Sequence, residues 1–223
     1  MKRLNYLPLL LLMALLFACK KENPVLPQDD ANKVGIGSFA LLETSRAAVP
    51  YYDKSSVTFV DSAGNELTFA ITAFDNKSTQ GCYWKYNVHE TGDTVRYCYE
   101  TTADNIWLKN ESQNLILQVQ LEAFPSYADP ESGKVADILN VLIRDAAKTN
   151  TYHQIFNQTI DHRNYPELDD SNTTYAQITF WSQEFSDVVK TDFTLPPYLL
   201  YYNWELGIVA FTDHDGKLWR LKI

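Results

Sequence analysis

The signatures of the common catalytic machineries are missing from this 223-residue chain. It has no Gly-x-Ser-x-Gly elbow to present a nucleophilic serine, no P-loop to cradle phosphates and no glycine pattern for a dinucleotide. Cysteine is scarce: Cys19, Cys82 and Cys98 are all there is, and none is spaced as a zinc pair. The four histidines, His89, His153, His162 and His214, do not fall into the His-Glu-x-x-His spacing of a zinc hydrolase. No metal and no other cofactor is therefore expected. No lysine or arginine run offsets the formal charge of −9, which repels nucleic acid and anionic surfaces. No internal repeat is visible. What is present is a globular balance of 45% hydrophobic and 21% charged residues, enough to bury a core. Its 14 Tyr, 11 Phe and 5 Trp suit half-buried strands, where a ring packs on one side and its polar edge meets water.

The amino terminus carries the most specific signal. Lys2 and Arg3 precede an apolar stretch from Leu7 to Ala18, long enough for a signal-peptide core and too short to span a bilayer with ease. Leu16-Phe17-Ala18-Cys19 resembles the bacterial lipobox, in which a small residue precedes a cysteine that becomes the lipid-bearing first residue. That resemblance implies a cleaved signal over 1–18, lipidation of Cys19 and stable anchoring by two or three acyl chains, palmitate among them. Lys20, rather than an aspartate, follows the cysteine, which by resemblance to lipoprotein sorting favours the outer membrane. Periplasmic and cell-surface faces both stay open. Residues 19–33 are polar, contain two prolines and read as a flexible tether, leaving 34–223 as a single β-rich domain.

Alternation with period two predominates in that domain. Residues 57–60 and 67–71 flank the turn Asp61-Ser62-Ala63-Gly64-Asn65. Trp84, Tyr86 and Val88, then Val95, Tyr97 and Tyr99, form a second hairpin if Thr91-Gly92 is a two-residue turn, which sets Trp84 opposite Tyr99. Residues 106–108 and 115–121 make a third pair, and later strands are expected at 175–181 and 188–195. At the end of the chain, a His214-Asp215-Gly216 loop with Gly216 left-handed sets Phe211 opposite Trp219 and Ala210 opposite Arg220. One segment departs from the rhythm. Val135, Ile138, Leu139, Leu142, Ile143 and Ala146 recur at helical spacing, which predicts a helix over 134–147, although the same apolar run also fits a buried strand at 138–143. Residues 157–172 read as a long surface loop. The fold class expected is mainly β, an antiparallel meander in a sandwich or curved half-barrel, with that one helix.

The tail of the chain, with Tyr201-Tyr202, Gly207-Ile208-Val209 and Asp215 to Trp219, resembles that of Bacteroidota envelope lipoproteins. This resemblance implies location and architecture, and no activity.

Candidates for chemistry are few. Asp213-His214-Asp215-Gly216 lacks the third oxygen ligand and the closing glutamate of a calcium loop, and a hairpin turn explains it better. Asp161, His162, Glu167, Asp169 and Asp170 form an acidic cluster in the 161–170 loop that would serve a hydrolase only if carboxyl groups converged across a cleft. Trp84, Tyr97, Tyr99, Trp107 and Trp181 suit a carbohydrate platform, although alternation favours the core for most of them. The leading expectation is a lipid-anchored, non-catalytic binding or interaction domain for a glycan or an envelope protein. The alternative is a carrier or chaperone for an apolar ligand held between the helix and the sheet. A hydrolase using the acidic loop stands in reserve. Two arguments divide over Cys82 and Cys98: export favours a disulfide, whereas the Thr91-Gly92 register places the two thiols on opposite faces; the compartment argument outweighs a register read from pattern alone, and a Cys82–Cys98 disulfide is expected.

Overall fold

A computed structural model describes residues 33–73, 77–86, 94–165, 172–191 and 197–223. Thirteen strands form one antiparallel sheet: β1 (Lys33–Phe39), β2 (Ser56–Val60), β3 (Glu66–Ala73), β4 (Lys77–Tyr86), β5 (Thr94–Asn110), β6 (Leu115–Pro125), β7 (Val135–Asp145), β8 (His153–Asp161), β9 (Asn172–Phe180), β10 (Gln183–Thr191), β11 (Leu200–Asn203), β12 (Gly207–Thr212) and β13 (Leu218–Leu221). A five-residue helix, α1 (Glu43–Ala47), and a 3-10 turn at Pro130–Ser132 complete the elements among the described residues. Among the described residues no helix is long and apolar enough to cross a membrane.

The sheet runs β8-β7-β6-β5-β3-β2-β13-β12-β11-β10-β9 and curls into a nearly closed barrel. Alternation drives the curl. In β6, Leu115, Leu117, Val119, Leu121 and Ala123 are buried on one face while Ile116, Gln118, Gln120 and Glu122 take the other. The inward set shares one core with Phe59, Phe69 and Phe211, whose rings meet one another edge-to-face at 5.0 to 6.0 Å. Phe156 of β8 stacks on Tyr202 of β11 at 5.5 Å, so side chains fill the space between opposite walls. At the seam, the Asn172 amide of β9 donates to the Asn157 carbonyl (2.7 Å) and to Gln158 Oε1 (2.6 Å) of β8.

One end of the barrel is closed by residues 41–52, whose Leu41, Ser45, Val49 and Tyr51 are buried. Two buried carboxylates hold this plug. Asp137 accepts from the Leu42 amide (3.0 Å), the Ser45 hydroxyl (2.7 Å) and Arg163, and Asp104 accepts from Arg46 (2.8 Å) and the Tyr52 hydroxyl (2.7 Å). Tyr51 drives its ring against the backbone at Gly207 and accepts the Ile208 amide at 2.6 Å. A Cβ at Gly207 would lie 2.3 Å from the Tyr51 hydroxyl, and φ there is +88°, so only glycine fits.

Strand β5 is long enough, at 17 residues, to pair with different strands along its two halves. Its second half pairs with β3 and β6 in the barrel, and its first half pairs with β1 and β4 in a three-stranded flap.

Several expectations are corrected here. The segment 134–147 holds strand β7 (Val135–Asp145) and a following turn, not a helix, because β7 lies between β6 and β8 with most side chains on both faces buried: Leu139, Val141 and Ile143 inward, Ala136, Ile138 and Asn140 on the other side. The carrier reading loses the helix on which it depended. Within 157–172, residues up to Asp161 belong to strand β8. The expected strands at 175–181 and 188–195 are β9 and β10, which meet at a two-residue Trp181-Ser182 turn with both φ values positive. Residues 192–195 lie outside the described set.

In the β4–β5 hairpin the register is displaced from the one expected, with Trp84 opposite Arg96 and Tyr83 opposite Tyr97. Thr91-Gly92 lies outside the described residues, and the ladder already ends at Tyr86 and Thr94. Both faces of these strands carry aromatics, so alternation cannot choose between them. The face that packs is that of Tyr83, Tyr97 and Tyr99. In this register Cys82 lies directly opposite Cys98, with Cα atoms 4.2 Å apart, and the two are joined by a disulfide. The last hairpin has the expected register, Phe211 opposite Trp219 and Ala210 opposite Arg220, with Gly216 at φ +75°.

Candidate functional site

The outer face of β5–β8 carries a band of side-chain amides. Asn105, Gln120, Asn140 and Asn157 are successive direct cross-strand partners, one on each of four adjacent strands. A second rung, two residues along β5, β6 and β7 and three along β8, where a bulge shifts the register, reads Trp107, Gln118, Leu142 and Gln154. Side chains here share one face because strand residues two apart point the same way. The sequence signal is the apolar-amide alternation Leu117-Gln118-Val119-Gln120-Leu121, where a solvated strand more often carries charge.

Asn140 is the hub. Its Oδ1 accepts from Gln154 (3.0 Å) and Asn157 (2.6 Å), and its Nδ2 donates to Glu122 Oε1 at 3.4 Å. Gln120 donates to Glu122 Oε2 at 3.4 Å, and Gln118 donates to Asn105 Oδ1 at 2.7 Å. These bonds fix the orientation of the amides. They leave the side-chain oxygens of Gln118, Gln120, Gln154 and Asn157 with no donor from another described residue. Each amide also keeps N–H capacity, so the band offers donors and acceptors side by side.

Two aromatic walls bound the band. At one end Trp107 meets Tyr152 edge-on at 5.9 Å, with the Lys109 ammonium 5.9 Å over Trp107 and the Arg144 guanidinium 4.8 Å over Tyr152. At the other, Tyr127 lies edge-on to both Tyr83 (4.3 Å) and Phe124 (4.5 Å), and Tyr83 stacks on Tyr97 at 5.9 Å. The flap is pinned over this wall by the Tyr83 hydroxyl on the Ser126 carbonyl (3.0 Å) and Lys85 on the Ala128 carbonyl (2.7 Å). Gly81 makes room for Tyr99, whose ring would lie 2.4 Å from any Cβ placed there. The result is a band of amides between two aromatic clusters, termed the trough below, running across the strands. Its floor spans about 14 Å from β5 to β8, and about 14 Å separates Gln118 from Glu122 along β6.

Burial at the second wall shapes its electrostatics. Desolvation raises the Glu122 carboxyl above its ordinary range, which favours its neutral form. Burial, then the charge of Glu122, raises the Tyr127 phenol. Burial pushes the Tyr83 phenol up to about 12. The middle rungs carry no formal charge at all.

The aromatics nominated from sequence are scattered. Trp84 is 61% exposed on the far face of the flap, against Arg96 at 5.6 Å, and Trp181 sits at the tip of the β9–β10 turn. Tyr97 and Tyr99 belong to the flap side of the trough and Trp107 to its opposite wall, so three of the five come to one surface. Tyr127 and Tyr152 were not nominated, because they lie between strands where alternation has no purchase. The acidic loop does not form a site among the described residues. Asp161 accepts its neighbour Arg163's amide at 2.8 Å in a turn, His162 meets the Tyr165 carbonyl, and Glu167, Asp169 and Asp170 lie outside the described set. His153 stacks on Tyr198, whose hydroxyl is 2.7 Å from His214 Nδ1, and His89 lies outside the described set. Among the described residues no group of three His, Cys, Asp or Glu side chains could hold a metal ion. Asp213 caps its own turn, accepting the Asp215 and Lys217 amides and the Trp219 indole.

No family model, curated protein or solved structure matches this chain. The trough is thus read from its own chemistry.

Proposed function

We propose that this protein is a lipid-anchored, non-catalytic glycan-binding protein of the bacterial outer membrane, with its glycan held in the trough on β5–β8. One observation carries the reading: oriented amides with open hydrogen-bonding capacity form the floor between two aromatic walls. Hydroxyl groups of a sugar both donate and accept, and a carboxamide matches both roles with one group. Sugar C–H faces stack on rings such as Trp107 and Tyr127, the latter 48% exposed. The membrane part of the proposal rests on the lipobox at Cys19.

Affinity electrophoresis against immobilised soluble polysaccharides tests the binding reading. At least one neutral polysaccharide should retard the protein, and Gln120→Ala with Trp107→Ala should abolish the retardation. Retardation by none, or retardation untouched by that pair of substitutions, would refute it. The anchor is tested separately. Cys19→Ser should abolish fatty-acid labelling and release the protein from membranes, and unchanged labelling would sink that part.

A further inference from the structure

The geometry of the first rung points further, on the reading that the trough holds a glycan. We infer that the occupant is a single, neutral, linear polysaccharide chain lying across the strands, with one sugar unit over each of β5, β6, β7 and β8.

Spacing supports this first. Asn105, Gln120, Asn140 and Asn157 repeat with the separation of adjacent strands, about 4.8 Å, which is close to the length one pyranose unit contributes to an extended chain. A chain laid along β6 instead would meet Gln118, Gln120 and Glu122 at about 6.8 Å intervals and end on a half-buried carboxyl group. Charge supports it next. The two rungs contain no ionised side chain, and the cations Lys109 and Arg144 are stacked on the rings of one wall rather than placed over the floor. A polyanionic glycan would find no counter-charge on the floor, and it would also face the net negative charge of the protein.

Twist then selects the physical form. Neighbouring strands rotate by about 20 to 25° each, so four amides turn through roughly 60° or more from β5 to β8. A flat crystalline polysaccharide surface cannot follow that turn, whereas a single dissolved chain can. Among the described residues the rung ends at Asn105 and Asn157, both at least partly exposed, so the described floor has four positions and a longer chain overhangs it.

The test is a calorimetric titration with cello-, xylo-, laminari- and chito-oligosaccharides of one to eight units, alongside oligogalacturonate and microcrystalline cellulose. For the series that binds, affinity should rise at least about tenfold between two and four units and then stay level. Asn157→Ala should move the plateau to three units, and Asn105→Ala should do the same from the other end. The Asn157 backbone carbonyl that accepts from Asn172 is kept in the alanine variant, so the seam contact survives. Oligogalacturonate and crystalline cellulose should fail to bind. A monosaccharide binding as tightly as the tetramer, or a plateau unmoved by both variants, would overturn the inference while leaving the glycan reading intact. Failure of every oligosaccharide and polysaccharide would overturn the glycan reading itself.

Discussion

Replacing Asp137 by alanine tests whether the plug is held by its buried polar contacts. The side chain is fully buried and accepts from the Leu42 amide at 3.0 Å, the Ser45 hydroxyl at 2.7 Å and the Arg163 guanidinium. Removing one partner of a buried ion pair typically costs about 3 to 5 kcal/mol, because the remaining charge stays desolvated. Arg163 keeps 18% of its side chain exposed, so some solvent compensates and the lower end, about 3 kcal/mol, is expected. Its Nε is already buried without a partner, so the guanidinium has little slack to re-pair. At about 2 to 4 °C per kcal/mol for a domain of this size, Asp137→Ala should lower Tm by roughly 6 to 12 °C. A companion pair separates charge from packing. Asp137→Asn keeps an acceptor for Leu42 and Ser45 but strands the cation, and adding Arg163→Met removes the stranded charge. The double variant should therefore melt above Asp137→Asn alone. Urea and thermal unfolding followed by circular dichroism read both. An Asp137→Ala protein melting within about a degree of the parent, or a double variant less stable than either single, would refute the account of the plug.

Three other outcomes follow from the structure. Trp219 is buried against the core and its indole donates to Asp213 Oδ2 at 2.9 Å, so Trp219→Ala should cost about 3 to 5 kcal/mol, and unaltered melting would show that this face is dispensable. The Asp61 carboxyl is held well below the usual carboxylate range by the Lys217 ammonium at 2.5 Å and the Asn65 side chain at 2.7 Å. A depressed folded value stabilises above the unfolded value of about 3.9 and is lost as pH falls through the folded one, so the Tm deficit of Asp61→Asn at pH 7 should shrink below about pH 4 in thermal scans. With Cys19 acylated, thiol counting on denatured, unreduced protein should find no free thiol, and two would rule out the Cys82–Cys98 bond.

How far the sequence discloses the fold depends on whether a strand has one wet face. In β6 the alternation from Leu115 to Glu122 places each residue on its face, and the Asp213 and Asp61 turns, each with a glycine three residues on at positive φ, set their hairpins in register. Strand β7 has no wet face over most of its length. Ile138 and Asn140 are 5% and 9% exposed where a solvated face would be open, so period two fades and the apolar residues mimic helical spacing. The flap misleads for another reason: Trp84 and Tyr83 are equally apolar neighbours, and only packing against Tyr127 decides which faces in. The trough was partly legible. Trp107, Tyr97 and Tyr99 stood out as aromatics on strands, whereas the amides Gln118 and Gln120 passed for no more than the polar half of an ordinary alternation. That Asn105, Gln120, Asn140 and Asn157 share one rung is a property of long-range register, which residues up to 52 positions apart in the chain cannot reveal alone.

The most direct test of the trough is the side-chain amide region of a nitrogen–proton correlation spectrum, recorded while a retained neutral oligosaccharide is added. The NH2 signals of Asn105, Gln118, Gln120, Gln154 and Asn157 should shift together along one saturation curve, with the Trp107 indole signal following it. Shifts confined to Trp84, to Trp181 or to the Asp213 turn, with those five amides unmoved, would contradict it.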